Sequence, residues 1–210
     1  MGAIQKILIL APHTDDGELG CGATIHKWAR EGKEVHYVAF SAAEESVPSS
    51  FPKDELRREA LQSTMTLGIP ATNVEILKYP VRKFTEYRQN ILEDLIQKRK
   101  DLQPDLILLP SLHDIHQDHQ VVTMEGIRAF KLSSILAYEL PWNTLTYDHT
   151  CYSIVDEKDL DKKYEALQHY KTQQHRAYFD KQFIYGLAKT RGTQYSVPYA
   201  ECFEVIRWVV

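Results

Sequence analysis

The chain has 210 residues, of which 43% are hydrophobic and 26% charged, and a net charge of −4 with histidine counted neutral. That length predicts one domain, residues 1–210, able to bury a full core unaided, and the composition excludes disordered, collagen-like and disulfide-scaffold classes. No block of lysine and arginine appears, so no nucleic-acid partner is expected.

In chain order, residues 6–11 (KILILA) form a short continuous apolar run, the mark of a strand buried on both faces. Residues 25–30 follow an amphipathic pattern that Gly32 ends as a helix stop. Residues 34–40 read as a second strand. Residues 54–67 read as a helix closed by Gly68, and 74–77 as a short strand. A long helix with charged faces spans 85–102, and a buried strand spans 105–109. A helix over 118–130 and a strand over 134–139 follow. The tail reads as a polar helix over 157–175, a second helix over 182–189 and a strand over 201–209. With no linker before it, this tail extends the same domain. The alternation predicts an α/β fold, a mostly parallel sheet with helices on both faces.

The first apolar run is far shorter than the roughly 20 residues of a membrane helix, and too soon followed by charge for a signal peptide. Cys21, Cys151 and Cys202 are widely spaced, with no CxxC. An odd number of cysteines without an export signal points to reduced thiols and a cytoplasmic location.

Two clusters carry chemistry. Ala11-Pro12-His13-Thr14-Asp15-Asp16 directly follows the first strand, and His113-Asp114-Ile115-His116-Gln117-Asp118-His119 follows the strand ending near Pro110. Both lie beyond the carboxyl ends of expected parallel strands, where open α/β sheets form their ligand sites. His13, Asp16 and one histidine of the second cluster suit a catalytic zinc, which takes three histidine or carboxylate ligands and keeps one position open. Asp15 is then left beside the metal as a general base, and a second histidine can stabilise an oxyanion or protonate a leaving group. Taken singly, an Asp-Asp after a strand is commonly a helix N-cap, and Asp118 fits that reading too. Gly17, Gly20 and Gly22 give GxxGxG, better suited to close packing than to cradling a phosphate.

The segment ILILAPHTDDGELGCGATIHKWAREG, residues 7–32, resembles the first motif of the LmbE-like (PIG-L) N-acetylglucosaminyl deacetylases. His116-Gln117-Asp118-His119 resembles the family's second motif, His-Pro-Asp-His. The resemblance covers most of the first 130 residues. It implies a Rossmann-like, LmbE-like three-layer sandwich and a Zn²⁺ cofactor held by His13, Asp16 and His119. It further implies Asp15 as general base and His116 as the group that assists the tetrahedral intermediate. A family arginine that contacts substrate falls on Arg57 or Arg58, in the helix before Leu67-Gly68. Arg57 is the candidate, although surface arginines are more often simply solvated. Thr14 and Gln117 replace the usual prolines at positions that are not ligands. His113 is open to three roles: alternative ligand, partner of a ligand, or polar loop residue.

The expected activity is therefore zinc-dependent removal of acetate from an N-acetylated amino sugar or related conjugate. One rival is another metal-dependent hydrolase, such as a phosphoesterase, which more often gathers ligands for two metals. The other is a non-enzymatic α/β ligand-binding module. Trp142, Tyr195 and Tyr199 are candidate faces for a sugar ring. Small α/β enzymes are often homo-oligomers, which makes self-association an expectation of class only.

Overall fold

The computed structural model describes residues 4–210; Met1–Ala3, part of the expected domain span, lie outside the described residues. Seven strands form one sheet: β1 (Lys6–His13), β2 (Glu34–Ser41), β3 (Val74–Ile76), β4 (Leu106–Pro110), β5 (Ser134–Tyr138), β6 (Cys151–Ile154) and β7 (Ala200–Arg207). Their order is β3-β2-β1-β4-β5-β7-β6. β1 to β5 are parallel, whereas β7 runs antiparallel to both β5 and β6. The helices are α1 (Asp16–Arg30), α2 (Glu55–Thr66), α3 (Arg88–Leu102), α4 (Gln117–Ala129), α5 (Glu157–Leu167) and α6 (Lys181–Gln194). This is the LmbE-like α/β fold, a mostly parallel sheet between two helical layers.

Strand alternation sorts the core into two layers. Ile7, Ile9, Leu106 and Leu108 face the side covered by α1, α2, α5 and α6. Leu8, Leu10, Ile107 and Leu109 face α3 and α4. Because both faces are covered, β1 and β4 tolerate no polar alternation and read as continuous apolar runs. Strand order reverses direction between β1 and β4, so their carboxyl ends splay into the crevice where α/β folds bind ligands. Each motif cluster follows one of these two strands.

Glycines set the tightness of α1 against the sheet. A Cβ on Gly20 would lie 2.3 Å from the Tyr138 ring, and one on Gly17 would lie 2.6 Å from Tyr37. Close packing is thus the role of this glycine run. Gly32 (φ +80°) and Gly68 (φ +91°) end α1 and α2 in the left-handed region, as expected of helix stops.

Three features of the chain differ from expectation. The helix expected over 157–175 ends at Leu167, and a short 3₁₀ turn, Lys171–Gln173, follows. The chain turns inward there to bury Tyr170, whose hydroxyl lies 2.7 Å from both Thr14 O and Glu18 Oε1. The strand β6 was not expected; it is half-buried and pairs only with β7, so it lacks a strong apolar pattern. The helix expected from residue 85 begins as a 3₁₀ turn, Phe84–Tyr87, and becomes α-helical at Arg88.

The tail also repairs a break in α1. Cys21 leaves helical geometry (φ −147°, ψ 25°), which frees backbone groups in the middle of the helix. Glu201 of β7 accepts the N–H groups of Ala23 (3.2 Å) and Thr24 (2.7 Å). Lys163 of α5 pairs with Glu201 at 2.6 Å and donates to Leu19 O at 2.7 Å. Buried charges persist when paired and hydrogen-bonded in this way. Among the described residues, no helix is long and apolar enough to cross a membrane.

Candidate active site

β1 delivers His13 at its last residue, and α1 starts at Asp16. β4 ends at Pro110, and the following loop carries Asp114 and His116 into α4, whose first turns hold Asp118 and His119. The two loops meet. His13 Nδ1 lies 3.2 Å from Asp16 Oδ2, Asp16 Oδ2 lies 3.2 Å from His119 Nε2, and His119 Nε2 lies 3.2 Å from His13 Nδ1.

The outer faces of both imidazoles are held by carboxylates. His13 Nε2 is 3.1 Å from Asp118 Oδ2, and His119 Nδ1 is 2.7 Å from Asp114 Oδ2. With those nitrogens donating, His13 Nδ1, His119 Nε2 and Asp16 Oδ2 present lone pairs to one another. With both imidazoles neutral, three acceptors facing inward require a positive centre, which a proton on His119 or a metal ion would supply. Burial opposes a charge on His119, yet Asp16 and Asp114 outweigh it and raise its pKa to about 10. Burial likewise opposes charge on Asp16, but His119 and His13 hold its carboxyl far below the usual range.

The triangle has the size and donor set of a metal centre. A tetrahedral zinc with bonds of about 2.0–2.1 Å separates its ligands by about 3.3 Å. Carboxylates behind ligating imidazoles are the usual means of fixing tautomer and ring orientation. His13, His116 and His119 also offer nitrogens within 4.8 Å of one another. Asp16 is the better third member, since one of its oxygens lies 3.2 Å from both imidazoles and His116 Nδ1 is occupied.

His116 caps α4, its Nδ1 accepting the N–H of Asp118 at 3.1 Å. Burial and the neighbouring imidazoles of His119 and His13 lower its pKa to about 4. A neutral His116 whose Nδ1 accepts must carry its proton on Nε2, a hydrogen-bond donor. Among the described residues Asp15 has no side-chain hydrogen-bond or ion-pair partner, and it does not cap α1, which removes the N-cap reading for it. Burial and the adjacent Asp16 raise its pKa to about 6. Asp118 is not a cap either; it accepts the N–H groups of Arg82 (2.6 Å) and Phe84 (3.3 Å).

Asp15, Asp16, His13, His116 and His119 line one cleft of about 220 Å³, together with Trp142 and Tyr178. Arg57 is not part of it. Its guanidinium is occupied by Glu44 Oε1 (2.9 Å), Ile76 O (2.9 Å) and Leu77 O (3.1 Å), tying α2 to the end of β3. Arg58 pairs with Asp54 and Glu55. The arginines in the cleft are Arg82 and Arg176. Of the three aromatic candidates, only Trp142 lines the cleft; Tyr195 stacks on Tyr152 and Tyr199 packs on Tyr185. His113 lies outside the cleft, near Asp148 and Glu204.

Beneath the loop lies a buried network absent from the sequence reading. Glu18 accepts from Tyr37 and Tyr170, and both hydroxyls also reach Thr14 O, at 2.9 and 2.7 Å. These groups fix the peptide that precedes Asp15. Nothing local in the sequence signals this, because the three residues are 19 and 152 positions apart.

The fold and cleft define an α/β protein with a candidate metal centre at its topological switch point. Residues 8–130 match the family model "PIG-L: GlcNAc-PI de-N-acetylase", and the chain belongs to that deacetylase family. It is 28% identical over 173 residues to the uncharacterized deacetylase YaiS of Escherichia coli K12, covering 80% of this chain and 91% of the relative. Its fold is similar to that of N,N'-diacetylchitobiose deacetylase from Pyrococcus horikoshii (TM-score 0.81, 21% identity, 97% of this chain and 84% of that one). It is also similar to GalB, the 4-carboxy-2-hydroxymuconate hydratase of Pseudomonas putida KT2440 (TM-score 0.78, 22% identity, 99% and 98%). One architecture thus hosts different reactions, and the reaction must be argued from the site.

Proposed function

We propose that this protein is a zinc-dependent hydrolase that deacetylates an N-acetylated amino sugar or related conjugate, releasing acetate and a free amine. The observation that carries the reading is the 3.2 Å triangle of His13, Asp16 and His119, with the unpartnered Asp15 beside it. Those three residues would hold the metal. When bound, zinc supplies a Lewis acid that polarises an amide carbonyl and acidifies water.

Asp15 receives a proton from the attacking water as the new C–O bond forms. His116 donates from Nε2 to the carbonyl oxygen as negative charge builds there. The C–N bond then breaks as the nitrogen takes a proton from Asp15 or His116. Trp142 offers an aromatic face to the sugar at the cleft wall. The free thiols of Cys21, Cys151 and Cys202 suit a reducing cytoplasm.

The test combines elemental analysis of the purified protein with acetate release from a panel of N-acetylated amino sugars, for wild type and Asp15→Asn. The expected result is about one zinc per chain and turnover lowered about 10²–10⁴-fold in the variant with metal retained. Failure to bind metal after zinc is supplied would overturn the hydrolase reading and favour a binding module. Two metals per chain with phosphate-ester cleavage would favour the phosphoesterase.

A further inference from the structure

We propose that Arg82 and Arg176 form an anion subsite at the cleft, and that the N-acetylated substrate carries a carboxylate or phosphoryl group which these two guanidinium groups bind. The inference rests on the deacetylase reading and deepens it. Both arginines line the same cleft as Asp15, His116 and His119. Every other arginine in the described chain donates its guanidinium to a carboxylate or to a backbone carbonyl. These two do neither, although charged groups facing a cleft are ordinarily paired or reserved for a ligand.

Each is also built into place. Arg82 has φ +69°, in the left-handed region that a residue with a side chain avoids. Its N–H is held at 2.6 Å by Asp118 Oδ2, the same oxygen that lies 3.1 Å from His13 Nε2. One carboxylate therefore fixes both a proposed metal ligand and the backbone of Arg82. Non-glycine strain of this kind persists where the surroundings over-determine it, and it concentrates at functional sites.

Arg176 is anchored through its Nε. Its Nε donates to Gln173 Oε1 at 2.8 Å. Gln173 is buried and donates to Thr172 Oγ1 at 3.2 Å, and Thr172 in turn donates to Glu59 of α2 at 2.6 Å. Among the described residues the terminal nitrogens of Arg176 meet no carboxylate and no backbone carbonyl; the neighbouring polar group is the Tyr178 hydroxyl, also at the cleft. Its guanidinium carbon lies 5.9 Å from the Tyr178 ring centroid, and that ring stacks on Trp142 at 3.8 Å and 9°. An arginine whose terminal nitrogens meet no anion is matched to the planar oxygens of a carboxylate or to a phosphoryl group.

The charge balance agrees. Asp15 and Asp16 are the acidic groups lining the cleft, and a divalent cation would offset them. The two guanidinium charges then remain for the ligand.

The experiment measures kcat/KM for acetate release by zinc-loaded wild type, Arg82→Gln and Arg176→Gln. The neutral probes are N-acetylglucosamine and N,N'-diacetylchitobiose. N-acetylmuramic acid carries a carboxylate, and N-acetylglucosamine 1-phosphate and UDP-N-acetylglucosamine carry phosphoryl groups. Wild type is expected to prefer an anionic probe, and which anionic probe leads identifies the source of the charge. Each variant should lower the anionic-to-neutral ratio about 10–100-fold, chiefly through KM. A preference for neutral probes in wild type overturns the proposal. So does an equal loss on both kinds of probe, the result expected if Arg176 acts only through its charge on Asp15, which lines the same cleft. Calorimetric binding of the same anionic sugars to zinc-loaded Asp15→Asn, with and without each arginine, separates the two readings. If no probe is hydrolysed, the deacetylase reading fails. Arginine-dependent anion binding then still supports the subsite, and binding indifferent to both arginines sinks it.

Discussion

His119 Nδ1 lies 2.7 Å from Asp114 Oδ2, and both side chains are almost fully buried. The same carboxylate uses its other oxygen to accept the N–H of His116 at 2.8 Å. Asp114 thus orients one member of the triangle and the loop that carries His116. Asp114→Asn loses one of these two acceptors, because an amide has a single carbonyl oxygen. Zinc affinity should fall about 10–100-fold. Competition against a chromophoric chelator measures this; unchanged affinity would remove Asp114 from the positioning role.

Zinc removal should lower stability as well as activity. Anything that binds only the native state stabilises it by mass action, about 2.7 kcal/mol at a ligand concentration one hundred times Kd. The melting temperature is therefore expected to fall in chelator and to return with added zinc. A melting curve indifferent to both would contradict a metal centre among His13, Asp16 and His119.

Tyr170 ties the tail to the loop that carries Asp15 through Thr14 O and Glu18. Tyr170→Phe removes the tyrosine partner of buried Glu18 Oε1, while Thr14 O keeps Tyr37, at a cost of about 1–3 kcal/mol. A shift of the urea midpoint at constant slope would register it.

Gly20 faces Tyr138, whose hydroxyl is fixed to Leu10 O at 2.9 Å, so the ring cannot simply swing away. Gly20→Ala is expected to destabilise by about 1–3 kcal/mol through overpacking. Calorimetric unfolding of the variant tests this, and a wild-type melting temperature would show that α1 can retreat from the sheet.

Arg57→Gln should reduce stability, by about 1 kcal/mol given its partial exposure, while KM stays at the wild-type value. Its donors serve Glu44 and two backbone carbonyls of the β3 end. A raised KM with unchanged stability would return Arg57 to the substrate.

Much of the architecture was legible along the chain. Buried strands of a parallel sheet are continuous apolar runs, so β1 and β4 announced themselves. Gly32 and Gly68 marked helix ends because their backbone positions require positive φ. Each motif cluster lies directly beyond such a strand, which made their convergence an inference from topology. The edge strand β6 and the early end of α5 were not legible, since the first has little apolar pattern and the second is decided by Tyr170 turning toward Glu18.

The sequence by itself determined the fold class, the two His/Asp clusters and the family they resemble, because strand periodicity and motif spacing are local properties. Only the tertiary structure decided which atoms face one another. It put Asp114 and Asp118 behind the imidazoles, left Asp15 without a partner, withdrew Arg57 into packing and brought Arg82 and Arg176 to the cleft. Those assignments depend on hydrogen bonds such as His13–Asp118, 105 positions apart, and Thr172–Glu59, 113 apart, which no periodicity along the chain encodes.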